Sequence, residues 1–566
     1  MLPPGWRSFR GCPVPGRCTT ASMPQLLATT SFRRPLVALL LVLGGCTQVP
    51  TLELVAPPPL EAVRGQQTPW TIEVRRGGGL SEPIEVSLLD LPTGVSASPV
   101  TIAADETQAT LVLEAGVSAV PASAVAVRLE LHASAVAQSS SAQLTVRDPG
   151  GAADHSFNAT GIVASEGLVP GLMRACAVAG DAQGQSVTLN ILHGDYLLEK
   201  RDAQGHLLAS FGNRGQVHVG RGTDYGISEC GLALLSDGSI LVGGTFREPG
   251  DDYDAFVARY TADGSLDTTF GVEGFAVPSR SVGYLAFGFV SALQVDTARH
   301  IYIAATGGWV TRVVRLTANG TLDATFGTQG VATFEGADGT SIRGLPRLAL
   351  APDGSVLVAS SRQPRVDPSP EWYLDLRRYT WNGRLDVGFG FNGGVTVEGS
   401  AISSGMAARV DALAVRPDGR IVVGELVWGD NSYKTCVVQY RADGTPDPAF
   451  GISGRQVLPT VGVYQYDSVL GLYPSADGKL TVANTAYNGL EPRFAVLRLI
   501  SDGRPDPSFN GGRVFDVVTP LLPGAANDWQ INPGGSALLP DGRLLMQADR
   551  GGGDGDRGLV LARVWL

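Results

Sequence analysis

One phrase recurs seven times along this 566-residue chain, and its spacing limits the possible folds more than any other feature. The clearest copy is Asp263-Gly264-Ser265-Leu266-Asp267-Thr268-Thr269-Phe270-Gly271, with Gly274 three residues further on. Its marker aromatics are Phe157, Phe211, Phe270, Phe326, Phe389, Phe450 and Phe509, at intervals of 54, 59, 56, 63, 61 and 59 residues. A period near 59 marks an array of one repeated supersecondary unit. Glycine agrees: 73 of 566 residues is roughly twice the usual share of about 7% and implies many tight turns.

Each unit reads as four short strands. Around the clearest copy, Gly231–Leu235 is a first apolar strand, Asp237-Gly238 a turn and Ile240–Gly244 a second strand. Ala255–Tyr260 is a third and Phe275–Val277 a fourth. Asp-Gly suits such turns because glycine takes positive φ cheaply and the Asp oxygen caps the turn. The same turn recurs at Asp353-Gly354, Asp418-Gly419, Asp477-Gly478 and Asp541-Gly542, and degenerates at Ala298-Arg299. Four antiparallel strands per unit is the pattern of a propeller blade. The last unit stops after its third strand, Val560–Leu566, while the first stretch, Asp154–Val163, holds only the tail of the phrase. Joined, they make one blade. The expected fold is therefore all-β, with a seven-bladed β-propeller over residues 150–566 whose last blade is closed by the N-terminal strand.

The phrase Leu-Asp-x-x-Phe-Gly-x-x-Gly at this spacing resembles the delta-60 repeat of bacterial secreted and lipid-anchored proteins. The resemblance spans residues 154–566, with departures: Leu208 stands in for the Asp, Asn158 and Asn510 for the Gly, Pro446 and Pro505 for the Leu. It implies a propeller and carries no catalytic residues.

Upstream, Arg33 and Arg34 precede an apolar run, Pro35–Leu43, that is too short to span a bilayer as a mature helix. The run ends Leu43-Gly44-Gly45-Cys46, which resembles a bacterial lipobox. The resemblance implies a signal peptide over residues 1–45, lipid on Cys46 and attachment to the membrane through it; Met23 is an alternative start. Thr47 follows, with no Asp to suggest retention at the inner membrane, so the expected location is the outer membrane of a cell envelope. Two or three acyl chains anchor firmly where one does not.

Residues 46–149 carry seven short strand candidates: 52–55, 71–75, 84–88, 99–103, 109–113, 126–131 and 142–146. Several alternate, as in Ile72 and Val74 or Val127, Leu129 and Leu131, the pattern of a β-sandwich. Leu91-Pro92-Thr93-Gly94-Val95 looks like a piece of bacterial immunoglobulin-like spacer modules, which implies an Ig-like stalk between lipid and propeller.

Chemistry is sparse. The six His show no metal-ligand spacing, and no Gly-x-Ser-x-Gly, phosphate loop or Cys-x-x-Cys occurs. Asp267, Asp323, Asp386, Asp447 and Asp506 recur at one position, but a calcium loop needs several oxygens close in sequence. They read as turn caps, and no metal or cofactor is expected. Cys176 lies eight residues before Gly184 and Cys230 eight before Gly238, at the start of adjacent innermost strands. An oxidising compartment predicts a disulfide between them. A net charge of −11 argues against nucleic acid as a partner.

The two turn sets of a blade share one face, so the irregular loops share the other, where function usually sits. Those loops carry Trp309, Trp372, Tyr373, Trp428, Tyr433 and Trp529, with Asp251 and Asp430, a composition suited to an envelope protein or carbohydrate. The expected function is a lipid-anchored, non-enzymatic binding scaffold. The competing expectation is a propeller enzyme, a polysaccharide lyase or hydrolase, working over the central channel; a tight cluster of acids, His or Tyr at the channel mouth would favour it.

Overall fold

The computed structural model describes residues 49–566 except 58, 166–172, 221–229, 248–252, 280–287, 308–309, 336–339, 365–372, 399–407, 430–431, 460–464, 488–491, 520–530 and 552–556. Within it, residues Pro50–Leu566 form one unit.

Period-2 alternation in the first hundred of these residues builds two facing sheets. One has the order Thr51–Leu54, Gln66–Gly77, Gln108–Ala115, Val95–Ala97; the other Leu60–Val63, Val136–Arg147, Ala122–Ala133, Ile84–Leu89, Val100–Ile102. Alternate residues point into one shared core: Trp70, Ile72 and Val74 from one sheet meet Leu129, Leu131 and Leu144 from the other. All pairs are antiparallel except Leu60–Val63, which runs parallel to Val136–Arg147. That strand, which buries three of its four residues instead of alternating, and Val95–Ala97 escaped the sequence reading.

From residue 150 onward, seven sheets follow in chain order. Sheets I to VI span 173–218, 231–276, 289–335, 340–398, 408–457 and 465–518, each with four strands in sequence order. Sheet VII contains Ile531–Leu538, Arg543–Gly551 and Arg557–Trp565, and its outer edge is completed from the other end of the repeat region. Ala152–Ala153 and Ile162–Ala164 both pair antiparallel with Arg557–Trp565. The first strand of each sheet packs on the first strand of the next, and Ile531–Leu538 packs on Met173–Gly180, so sheet VII meets sheet I.

The repeated phrase is the joint between sheets. All seven marker phenylalanines are buried, none more than 1% exposed. In sheet III, Arg315 on the third strand pairs with Asp323 at 2.8 Å and lies 4.8 Å over the Phe326 ring. It also donates to the Trp381 carbonyl of sheet IV at 2.6 Å. Arg259, Asp267, Phe270 and the Ala318 carbonyl repeat the set between sheets II and III. So do Arg378, Asp386, Phe389 and the Ala442 carbonyl between sheets IV and V.

Backbone bonds run alongside, from Gly271 N to Asn319 O at 2.8 Å, Gly327 N to Asn382 O at 2.7 Å and Gly390 N to Asp443 O at 2.8 Å. Gly320 shows why the turn glycine recurs: its φ is +83°, and an added Cβ would lie 2.8 Å from the Phe270 ring. Where the sequence departs, the joint is rebuilt. Sheet V has Gln439 in place of the Arg; Gln439 donates to Asp447 at 2.8 Å, while Arg416 donates from Nε to Gln439 Oε1 at 2.7 Å and from Nη1 to the Gly478 carbonyl of sheet VI at 2.8 Å. At Ala298-Arg299 the positive φ of 66° falls on Arg299, whose guanidinium bonds Asp237 at 2.6 Å.

The closing joint is the most buried. Asp154, fully buried, accepts from Arg563 Nε at 2.6 Å and Arg543 Nη1 at 3.1 Å, while Arg563 covers Phe157 at 4.4 Å and reaches the Ala203 carbonyl of sheet I. The two-sheet region abuts this corner: Asp148 bonds Arg64 at 2.6 Å and His155 Nδ1 at 3.0 Å, and Arg147 lies 5.4 Å over the Trp565 ring.

Candidate functional site

The site begins with an irregularity in the first strands. Pairing of first with second strand slips between Ala175 and Ala177, Val290 and Ala292, Arg343 and Arg347, Val410 and Ala412, Val469 and Gly471, and Pro533 and Gly535. Such bulges leave one residue out of the ladder and re-aim its side chain. The residue left out in sheets I, III, V and VII is Cys176, Ser291, Asp411 or Gly534, and each lies eight positions before its turn residue.

The preceding residue has an N–H with no ladder partner, and a side chain of the previous sheet accepts it. Ala175 N donates to Asp549 Oδ1 at 3.0 Å, Val290 N to Thr245 Oγ1 at 3.1 Å and Val410 N to Ser361 Oγ at 2.8 Å. A buried unmade bond would cost about 1–3 kcal/mol, so these contacts hold the sheets in register as well as together.

The bulges converge on a cavity of about 340 Å³ that takes lining residues from the first strands of six sheets and, from sheet II, Cys230 at the entry to its first strand. Most of these residues lie near the start of their strands, so the cavity sits toward the irregular-loop face. Cys176 and Cys230 are joined by a disulfide across sheets I and II, with Cα atoms 6.0 Å apart, and form part of the wall.

The charged lining is Arg174, Arg347, Arg409, Asp411 and Asp549. Asp411 is 7% exposed and fully engaged: Arg409 Nε and Nη2 meet its two oxygens at 2.7 and 3.0 Å, and Val469 N donates at 3.1 Å. Arg409 also donates to Ser468 Oγ at 2.6 Å. Asp549 is 0% exposed and holds the Ala175 N–H. Ser291 donates to the Pro346 carbonyl at 2.7 Å, bracing sheet III on sheet IV. Both carboxylates are thus committed to the frame. Among the described residues no three His, Cys, Asp or Glu side chains gather as a metal site.

Of the residues expected from the loops, the side chains of two are described, on different sheets. Tyr373 opens the third strand of sheet IV and is half-buried; Tyr433 is 42% exposed beside Trp428 in the hairpin of sheet V. The side chain of Trp428, and Trp309, Trp372, Trp529, Asp251, Asp430 and Cys46 altogether, lie outside the described residues. The channel-lining arginines and aspartates were not singled out from sequence. The signal was available: the register that aligns Cys176 with Cys230, eight residues before the turn, also selects Ser291, Asp411 and Gly534.

The phrase carries no separate site. Asp267 accepts from Thr269 N, Thr269 Oγ1 and Arg259, and the Thr269 bonds, with Arg259, hold its carboxyl below the usual range against the opposing effect of burial. At Asp506, burial raises the carboxyl, but bonds from Ser508, Arg498 and Lys479 outweigh it and bring it to about 2.

This architecture is a β-propeller of repeated units. Four stretches, 235–270, 300–326, 416–450 and 475–509, match the family described as a domain of unknown function (DUF5122) beta-propeller. No curated protein is detectably similar in sequence. Among solved structures, the chain is similar to an engineered GH43 glycoside hydrolase with endo-xylanase and exo-arabinofuranosidase activity, at 12% identity and a TM-score of 0.28, covering 71% of this chain and 96% of that one. It is also similar to prolyl oligopeptidase B from Galerina marginata, at 10% identity and a TM-score of 0.35, covering 67% of this chain and 47% of that one.

Proposed function

We propose that the protein is a lipid-anchored scaffold of a bacterial cell envelope that binds a ligand without transforming it. In this reading Cys46 carries the lipid at the outer membrane, the two-sheet region is an Ig-like spacer, and the seven sheets are the blades of one closed propeller. The parallel edge strand Leu60–Val63 and the single shared core support the spacer. The contacts of sheet VII with sheet I and with the strands at 152–164 support closure at seven.

The observation that carries the binding role is the cavity at the channel mouth, lined from all seven sheets on the face of the irregular loops. Its two described carboxylates are occupied by arginine and backbone N–H groups, so among the described residues the cavity holds no free acid–base pair of the kind a lyase or hydrolase requires. An envelope protein or carbohydrate is the partner class. Capture from envelope extract, paired with a glycan array, tests this: one saturable ligand recovered unchanged is expected, and turnover of a bound glycan, or no ligand in either assay, refutes it. Cys46→Ser should release the protein from the membrane fraction and abolish acyl labelling; retention of both would refute the anchor.

A further inference from the structure

We propose that the channel mouth is a seat for one small carboxylate-bearing molecule, held by Arg174 with Arg347 on the facing wall. The proposal rests on the binding reading above and narrows it to a ligand class. In a ring of seven, sheets IV and V lie opposite sheet I, so Arg347 and Arg409 face Arg174 across the channel.

Among the described residues, three guanidiniums and two carboxylates line the cavity, a local excess of one positive charge in a chain whose net charge is −11. The carboxylates are already consumed: Asp411 by Arg409 and Val469 N, Asp549 by Ala175 N. Arg174 is half-buried and has no hydrogen-bond or ion-pair partner among the described residues. It occupies the same repeat position as Arg409, ten residues before the turn glycine, but sheet I supplies no counterpart of Asp411. Cys176 stands at that position, and its sulfur is held in the bridge to Cys230.

A ligand carboxylate completes at Arg174 the pair that Asp411 completes at Arg409. The planar fork of a guanidinium matches a carboxylate with two parallel N–H···O bonds. The single positive charge of Arg174, without a partner among the described residues, suits a carboxylate, which carries a single negative charge, better than phosphate, which carries more.

Size sets the rest. At about 30 Å³ per water, 340 Å³ is the space of roughly ten waters, which a single sugar acid or short organic acid fills. No aromatic side chain lines the cavity among the described residues, so a neutral sugar finds no stacking platform there. A ligand of this size with ordinary efficiency per atom binds with a Kd on the order of 1 mM.

The test is calorimetric titration of the unlipidated full chain with glucuronate, lactate, glucose and inorganic phosphate at matched ionic strength. Saturable binding of glucuronate or lactate is expected, with no binding of glucose and weaker binding of phosphate; which acid binds more tightly separates a sugar acid from a plain organic acid. Arg174→Gln should weaken it about tenfold or more with an unchanged melting temperature, since Arg174 supports no other described group. Arg174→Lys should recover only part of the affinity. No saturation by either carboxylate, equal binding of glucose, tighter binding of phosphate, or full affinity in Arg174→Gln overturns the proposal. Capture from envelope extract separates the two readings. If wild type and Arg174→Gln retain the same ligand, the carboxylate seat fails and the binding role stands; if neither retains any, both fail.

Discussion

Replacing Glu425 by methionine should stabilise the protein, and by more at pH 8 than at pH 4.5. Glu425 lies in the second strand of sheet V, directly across from Cys436, and is 0% exposed. Neither carboxylate oxygen has a hydrogen-bond partner among the described residues. Burial raises its pKa to about 7 from a reference of 4.5, with Arg455 opposing weakly. Below 4.5 the group is protonated in both folded and unfolded chains. Between 4.5 and 7 the unfolded chain loses its proton while the folded one keeps it, so stability falls as pH rises through this window and is level above it. A rise of about 2.5 units at about 1.36 kcal/mol each makes the loss about 3 kcal/mol. Methionine keeps the volume and removes the titration. Urea unfolding of wild type and Glu425→Met at pH 4.5, 6 and 8, followed by tryptophan fluorescence, reads the difference directly. The gap should widen by about 3 kcal/mol between the extremes. A gap independent of pH would show that Glu425 is hydrated or paired in solution, and the burial reasoning would be wrong.

Other expectations follow from the joints. Asp154→Asn leaves Arg563 buried without its countercharge and should cost about 3–5 kcal/mol, with earlier proteolytic cleavage near residues 152–164 than in wild type; unchanged cleavage would mean the corner does not close the ring. Phe326→Ala removes a fully buried ring between sheets III and IV and should cost about 3–5 kcal/mol, measured by urea midpoint. Asp323→Asn, which keeps the turn but weakens the Arg315 pair, should cost less. The Cys176–Cys230 bridge closes a 54-residue separation, worth up to about 4 kcal/mol in chain entropy; reduction should lower the melting temperature, and intact mass with and without reductant should differ by two hydrogens.

Much of the architecture could be read from the chain because it is repetitive. Asp-Gly and Phe-Gly recur at positions where the backbone needs positive φ or a ring must sit between sheets, and those demands are local. Gly238, Gly264 and Gly274 of one unit were legible for that reason. The arginine eight residues before four of the five signature Asp residues, as in Arg259–Asp267, Arg315–Asp323 and Arg498–Asp506, was nearly as regular but went unread. Its meaning lies in the next sheet, where it finds a carbonyl some sixty residues away in sequence. The tryptophans drew attention by type, yet type alone does not say which way a side chain faces.

By itself, then, the sequence determined the unit: four short strands, two glycine turns and a buried phenylalanine, with the spacing that makes them repeat. Only the tertiary structure decided what the units enclose. A bulge has no sequence signature of its own, and its side chain reaches the channel because the neighbouring sheet accepts the N–H it exposes. That acceptor belongs to a different repeat, so Arg174, Arg347 and Arg409, far apart in the chain, share one cavity only once the sheets stand side by side.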